Sequence, residues 1–292
     1  MARIIAIANQ KGGVGKTTTT VNLAACLAAA ERRTLILDLD PQGNASVGLG
    51  LDKQLFVDAN IYHTMIGEEN VENCIYKTEL EHLDICPSDN NLIGAEVELM
   101  QAFARESKLK TAIASVGDKY DYILIDCPPS LSLLTVNAFN AATSYIVPMQ
   151  TEYYAMEGLA QLLHTIKLIK ENLNPDLEIE GILLTMYDGR NNLARAVAEE
   201  IQGYFPDDTF KTIVPRNVKL SECPSHGKPV IIYDITSKGS EAYLNLAKEV
   251  IFKEKARMEA AAKLKEEENA DCLIDQVINK NAVIPNFNDY EL

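Results

Sequence analysis

The sequence predicts an α/β domain with a doubly wound, mostly parallel sheet flanked by helices. Three observations carry this. Short apolar runs alternate with longer helical patterns over most of the chain. The runs are apolar throughout, as expected of strands covered on both faces by helices. A glycine-rich stretch joins the first run to the first helical segment, and in open sheets of this kind ligands lie beyond the carboxyl ends of the strands.

Arg3–Ala8 (RIIAIA) reads as the first strand, and Lys16–Ala30 as the helix that follows, with apolar residues at Val21, Leu23, Ala24, Ala25, Leu27 and Ala28. Thr34–Leu39, Tyr122–Ile125, Ser144–Val147, Glu180–Leu184 and Thr212–Val214 read as further strands. Gly158–Glu171, Leu193–Gly203 and Ser240–Lys253 read as further helices. Without an internal repeat or a Pro/Gly-rich linker, one domain is expected over residues 1–252. From Lys253 to Asn269 the chain is nearly all Ala, Glu, Lys, Arg, Met and Leu, which predicts a solvated extension of the last helix and then a loose acidic tail over the remainder of 253–292.

Composition narrows the classes. Of 292 residues 47% are hydrophobic and 24% charged, enough to bury a full core, with 15 Gly and 11 Pro. No apolar run approaches the ~20 residues that cross a bilayer, and the start of the chain lacks the pattern of a secretory signal. The six cysteines form no C-x-x-C pair, which points to reduced thiols in a cytoplasmic setting. A formal charge of −15 argues against nucleic acid if taken as a whole. Locally it does not: Thr209–Lys248 holds Lys211, Arg216, Lys219, Lys228, Lys238 and Lys248 against Glu222, Asp234 and Glu241, a window of +3.

The most informative stretch is Asn9-Gln10-Lys11-Gly12-Gly13-Val14-Gly15-Lys16-Thr17-Thr18, set between strand and helix. Backbone amides from Lys11 to Thr18 can cradle phosphates at the helix N-terminus, Lys16 can reach the β- and γ-phosphates, and Thr17 can ligate Mg2+. The usual phosphate-loop pattern has Gly where this chain has Gln10, and Lys11 is a second lysine at the start of the loop. Two strand ends add carboxylates suited to holding Mg2+ or orienting water, in Asp38-Leu39-Asp40-Pro41-Gln42-Gly43-Asn44 and in Asp126-Cys127-Pro128-Pro129. Tyr153 and Tyr154 read as packing residues, and His226 as a loop contact.

These motifs, together with P-R-N-V-K-L-S-E-C-P-S-H-G-K-P from Pro215, resemble the ParA/Soj family of chromosome- and plasmid-partitioning ATPases, in the deviant Walker A group that includes MinD. The likeness covers residues 1–252. It implies an ATP-dependent sandwich homodimer in which Lys11 reaches the partner's nucleotide. It further implies hydrolysis through Asp40 with support from Asp38, Asp126 as the Walker B carboxylate near Mg2+, and Pro215 and Asn217 on the adenine side. Cys223 departs from the small apolar residue common in relatives. Such proteins bind DNA without sequence preference and work with a ParB-type centromere-binding partner on the nucleoid. Arg190, Arg195, Arg216, Lys219, Lys228 and Lys238 are the candidate DNA contacts. The alternatives are a related ATPase that positions another cargo and a MinD-like membrane-associated division-site regulator; the acidic end, Asn286 to Leu292, offers no basic amphipathic anchor for the latter.

Overall fold

A computed structural model describes residues 2–281. In chain order its elements are β1 (Arg3–Ile7), α1 (Lys16–Ala29), β2 (Thr34–Asp38), α2 (Asn44–Gly48), α3 (Ile61–Ile66), β3 (Tyr76–Lys77), β4 (Leu83–Cys86), α4 (Leu92–Leu99) and α5 (Lys108–Ile113). They continue as β5 (Tyr122–Asp126), α6 (Leu133–Ala141), β6 (Ser144–Gln150), α7 (Ala155–Asn172), β7 (Glu178–Thr185), α8 (Asn192–Tyr204), α9 (Val218–Glu222), α10 (Val230–Tyr233) and α11 (Lys238–Asn281). The chain divides into two compact units, with the second beginning at Lys248. The acidic end singled out in the sequence lies outside the described residues.

Among the described residues the strands form one seven-stranded sheet in the order β3-β4-β2-β5-β1-β6-β7, parallel except for β3. The uninterrupted apolar runs have the reason expected of them. Leu35, Ile36 and Leu37 of β2 and Ile123, Leu124 and Ile125 of β5 are fully buried, so both pleat faces are covered. The helices supply the cover with one stripe each. In α7 the buried positions Leu159, Leu162, Ile166 and Ile169 recur at the three- and four-residue spacing of one helix face, and α8 buries Ala194, Val197, Ala198 and Ile201 in the same way.

The sequence reading misplaces one strand and omits two. Thr212–Val214 is not a strand. Its neighbourhood touches the sheet only at isolated bridges, Thr209 to Ile182 and Pro215 to Tyr187. The segment stitches the outer edge of β7 through Ile182 N to Asp208 O (2.7 Å), Phe210 N to Ile182 O (3.0 Å) and Val214 N to Leu184 O (2.9 Å). The omitted strands are β3 and β4 on the opposite flank. β3 is two residues long, and β4 carries Asp84, buried beside the Lys77 ammonium (2.8 Å) and the Tyr120 hydroxyl (2.8 Å).

Strand order positions the site. β1 lies between β5 and β6, and β2 pairs with the other side of β5. The loops that leave the carboxyl ends of β1, β2, β5 and β6 therefore emerge side by side. Asp38 and Asp126 face each other in register on adjacent strands, and Ile7, just before the glycine-rich loop, is in register with Asp126.

Candidate active site

The loop between β1 and α1 is held by its neighbours. Asn9 donates from Nδ2 to Pro148 O (2.8 Å) and accepts from Lys11 N (3.0 Å), and the Thr185 hydroxyl donates to Val14 O (2.8 Å). Gly13 and Gly15 have φ of 74° and 88°, the left-handed conformation that glycine adopts at little cost. Gly15 is the N-cap of α1, with no side-chain cap and no acidic residue in the first turn. Gly12 has no neighbour within 4 Å of where a Cβ would stand, so the space above it is open. An uncapped helix start with a lysine in its first turn attracts an anion.

Lys16 is buried and donates from Nζ to Lys11 O (3.2 Å). Burial lowers its pKa, and the carboxyls of Asp126 and Asp40 oppose that shift. Asp126 is fully buried. Its Oδ1 accepts from the Thr20 hydroxyl (2.9 Å), while its Oδ2 has no hydrogen-bond partner. Burial and the adjacent Asp38 push its pKa well above the usual carboxylate range, against the Thr17 and Thr20 hydroxyls. A buried carboxylate oxygen left without a donor, beside the threonine that would ligate a metal, fits a divalent cation. The Cys127 thiol behind it is pushed up by burial and is inert.

Asp38 and Asp40 differ in what they do. Asp38 is fully buried, and its Oδ2 accepts from both Ser46 N (3.1 Å) and Ser46 Oγ (2.8 Å), while Oδ1 accepts from Asp40 N (3.2 Å). Burial raises its pKa. These bonds all run to the segment that follows it, from Asp40 to Ser46, so its work here is to pin that segment to the sheet. Asp40 accepts from Gln42 N (3.0 Å) and closes a turn through Gly43 N to its own carbonyl (2.9 Å). Gly43 is required there: its φ is 63°, and a Cβ would lie 2.6 Å from Ser88 O.

Gly15, Thr18, Met186, Pro215 and Asn217, with the two residues expected on the adenine side among them, line one cavity. Asn217 caps α9 by accepting from Lys219 N (2.8 Å), which leaves its amide nitrogen for a ligand. Arg216 lines this cavity and a neighbouring one that contains Glu152, Met186 and Asp188. The candidate DNA cations run from the turn before α8 to the start of α11. Arg190, Arg195, Arg216, Lys228 and Lys238 are exposed; Arg190 pairs with Asp188 (2.7 Å) and Lys219 with Glu222 (3.1 Å). Arg190 holds the Asp188 carboxyl down at about 2. His226 stacks on Tyr233, with ring centroids 5.0 Å apart.

Several groups of this site were not legible in the sequence: Asn9, Thr20, Ser46, Thr185 and Glu152, the last forming an ion pair with Lys11. The one local signal was the run Thr17 to Thr20, four mediocre helix formers opening a helix, which points to hydroxyls needed for contacts. The expectation that Tyr153 and Tyr154 pack inside fails, since they are 74% and 70% exposed. They follow the end of a buried strand, in a loop whose apolar residues need not turn inward.

Comparison with known proteins agrees with this geometry. A family model described as an AAA domain matches residues 2–179. The chromosome partitioning protein ParA of Myxococcus xanthus is 57% identical over 251 residues, covering 86% of this chain and 88% of that one. The sporulation initiation inhibitor protein Soj of Bacillus subtilis is 55% identical over 250 residues, covering 86% and 98%. Among solved structures, the cobyrinic acid a,c-diamide synthase of Mycobacterium smegmatis, crystallised with ADP and magnesium, superposes with a TM-score of 0.74 at 35% identity, covering 85% of this chain and 93% of that one. With its phosphate loop, its two carboxylate-bearing strand ends and these likenesses, the chain belongs to the ParA/Soj family of partitioning P-loop ATPases.

Proposed function

We propose that this chain is an ATP-hydrolysing partition protein of the cytoplasm. In this reading it binds ATP with Mg2+, pairs with a second copy, holds nucleoid DNA without sequence preference, and segregates a chromosome or plasmid together with a ParB-type centromere-binding protein. The observation that carries the reading is the unpartnered Oδ2 of buried Asp126, set in register with Asp38 and within the field of Lys16 at an uncapped helix start. The partitioning relatives support the cellular role, and the magnesium and ADP of the similar synthase support the ligand. Among the described residues no helix is long and apolar enough to cross a membrane.

When bound, Mg2+ and ATP supply the scissile phosphoanhydride and the charge that neutralises it. Thr17 and Asp126 would hold the metal side. Lys16, its ammonium partly desolvated, stabilises charge that develops on the β- and γ-phosphates. Asp40 orients the attacking water, and Asp38 fixes Asp40 by tying the intervening loop to β2 through Asp40 N and Ser46. Lys11 acts across the dimer, which makes turnover slow until two copies meet, and DNA and the partner raise it. Phosphate release should therefore be slow for the protein with Mg2+ and ATP and rise several-fold with non-specific DNA and a purified ParB-type protein. Asp40→Ala should keep ATP binding, lose turnover and accumulate dimer; an Asp40→Ala protein with normal turnover overturns this assignment.

A further inference from the structure

Tyr153 and Tyr154 are an exposed aromatic pair in the loop that follows β6. Their rings meet edge to face with centroids 5.1 Å apart, yet most of each ring faces outward. Glu152 precedes them and pairs with Lys11; the two side chains are 52% and 44% exposed. β6, which delivers these residues, is hydrogen-bonded to β1, which delivers Lys11, so both loops leave the same end of the sheet. Two neighbouring aromatic rings left in water give the free chain little, and such residues concentrate in the centres of interfaces.

We infer that Tyr153 and Tyr154, flanked by Lys11 and Glu152, form a self-complementary patch on which a second copy of this chain docks. The inference rests on the nucleotide-dependent homodimer proposed above and assigns that dimer a hydrophobic centre. Charge selects this occupant. A two-fold contact brings each surface against itself, so a favourable one must carry both signs. This patch does, with one cation and one anion beside an apolar pair. A phosphate backbone would instead meet Glu152 and, in the first turn of α7, Glu157. The rings offer roughly 300 Å2 per copy, well short of the about 800 Å2 per partner of a stable interface. The patch therefore closes only when the phosphate loops and bound nucleotide complete the face. Until then Glu152 holds Lys11 within its own chain.

The test uses the full chain with Mg2+ and a non-hydrolysable ATP analogue, with mass measured by light scattering across a concentration series. Nucleotide affinity is read from a fluorescent analogue at protein concentrations low enough that both proteins are monomeric, because dimerisation coupled to nucleotide raises the apparent affinity. The double variant Tyr153→Ser with Tyr154→Ser should unfold at the same temperature and bind the fluorescent analogue as the unmodified protein does, but its dimer dissociation constant should rise at least tenfold. Tyr153→Phe with Tyr154→Phe should dimerise normally. A serine variant that dimerises unchanged overturns the patch while leaving the homodimer intact. An unmodified protein that stays monomeric overturns the homodimer reading and the patch with it. Weakened nucleotide binding in the serine variant, or weakened DNA binding with dimerisation intact, would assign the tyrosines to those ligands and likewise overturn the inference.

Discussion

Lys16 and Asp126 are each unfavourable where they stand. Burial lowers the lysine's pKa, which the charge of Asp126 opposes, and raises the carboxyl's, which the Thr17 and Thr20 hydroxyls oppose. Lys16→Ala should weaken nucleotide binding by at least ~100-fold, equivalent to about 2.7 kcal/mol, read by fluorescent-nucleotide titration, with circular dichroism to check the fold. The carboxylates also predict a pH dependence. Asp38 and Asp126 bind protons more tightly in the folded chain than in the unfolded one, so their contribution to stability is present below the ordinary carboxylate range and is lost as pH rises through their elevated pKa values. Thermal melts of the nucleotide-free protein should therefore fall more steeply between about pH 5 and 8 than those of Asp126→Asn; parallel profiles would exclude the pair as the source. Lys16, Thr17 and Asp126 could be read from contiguous motifs. Thr20 and Glu152 could not, because their partners lie 106 and 141 residues away.

At the scale of elements, the turn after β2 makes one glycine a constraint on the backbone that carries Asp40. Gly43→Ala places a methyl 2.6 Å from Ser88 O at a φ of 63°. It should cost about 1–3 kcal/mol of stability, visible in thermal melts, and should reduce phosphate release more than ATP affinity, since the Asp40 carbonyl closes that turn. Equal losses in both would show that the turn serves binding alone. Strand legibility followed burial. β1, β2, β5, β6 and β7 were readable because both of their faces are covered. β4 was not, because Asp84 interrupts a four-residue run and is satisfied only by Lys77 and Tyr120 from elsewhere in the chain. Thr212–Val214 misled because an apolar β-branched run also suits a segment that laces an edge without joining the ladder.

For the whole molecule, a charge of −15 and a DNA-facing role are compatible only if contact is local. Part of the local charge is already engaged, Arg190 by Asp188 and Lys219 by Glu222. Reversing Arg195 and Lys228, exposed candidates outside the cavity beside Gly15, to Glu should lower DNA affinity at least tenfold at low salt and flatten its salt dependence, measured by anisotropy of labelled duplex, while dimerisation persists; an unchanged salt slope would move the DNA face elsewhere. The flanks of the sheet bear on a different property. On one side the edge strand is a two-residue antiparallel piece whose Lys77 is tied to Asp84. On the other, the backbone of Asp208 to Val214 already occupies hydrogen-bonding groups along β7. Neither flank presents a long row of open amides and carbonyls, so growth of the sheet from chain to chain has little template. The chain is in this way kept from the irreversible β-association that long open edges template.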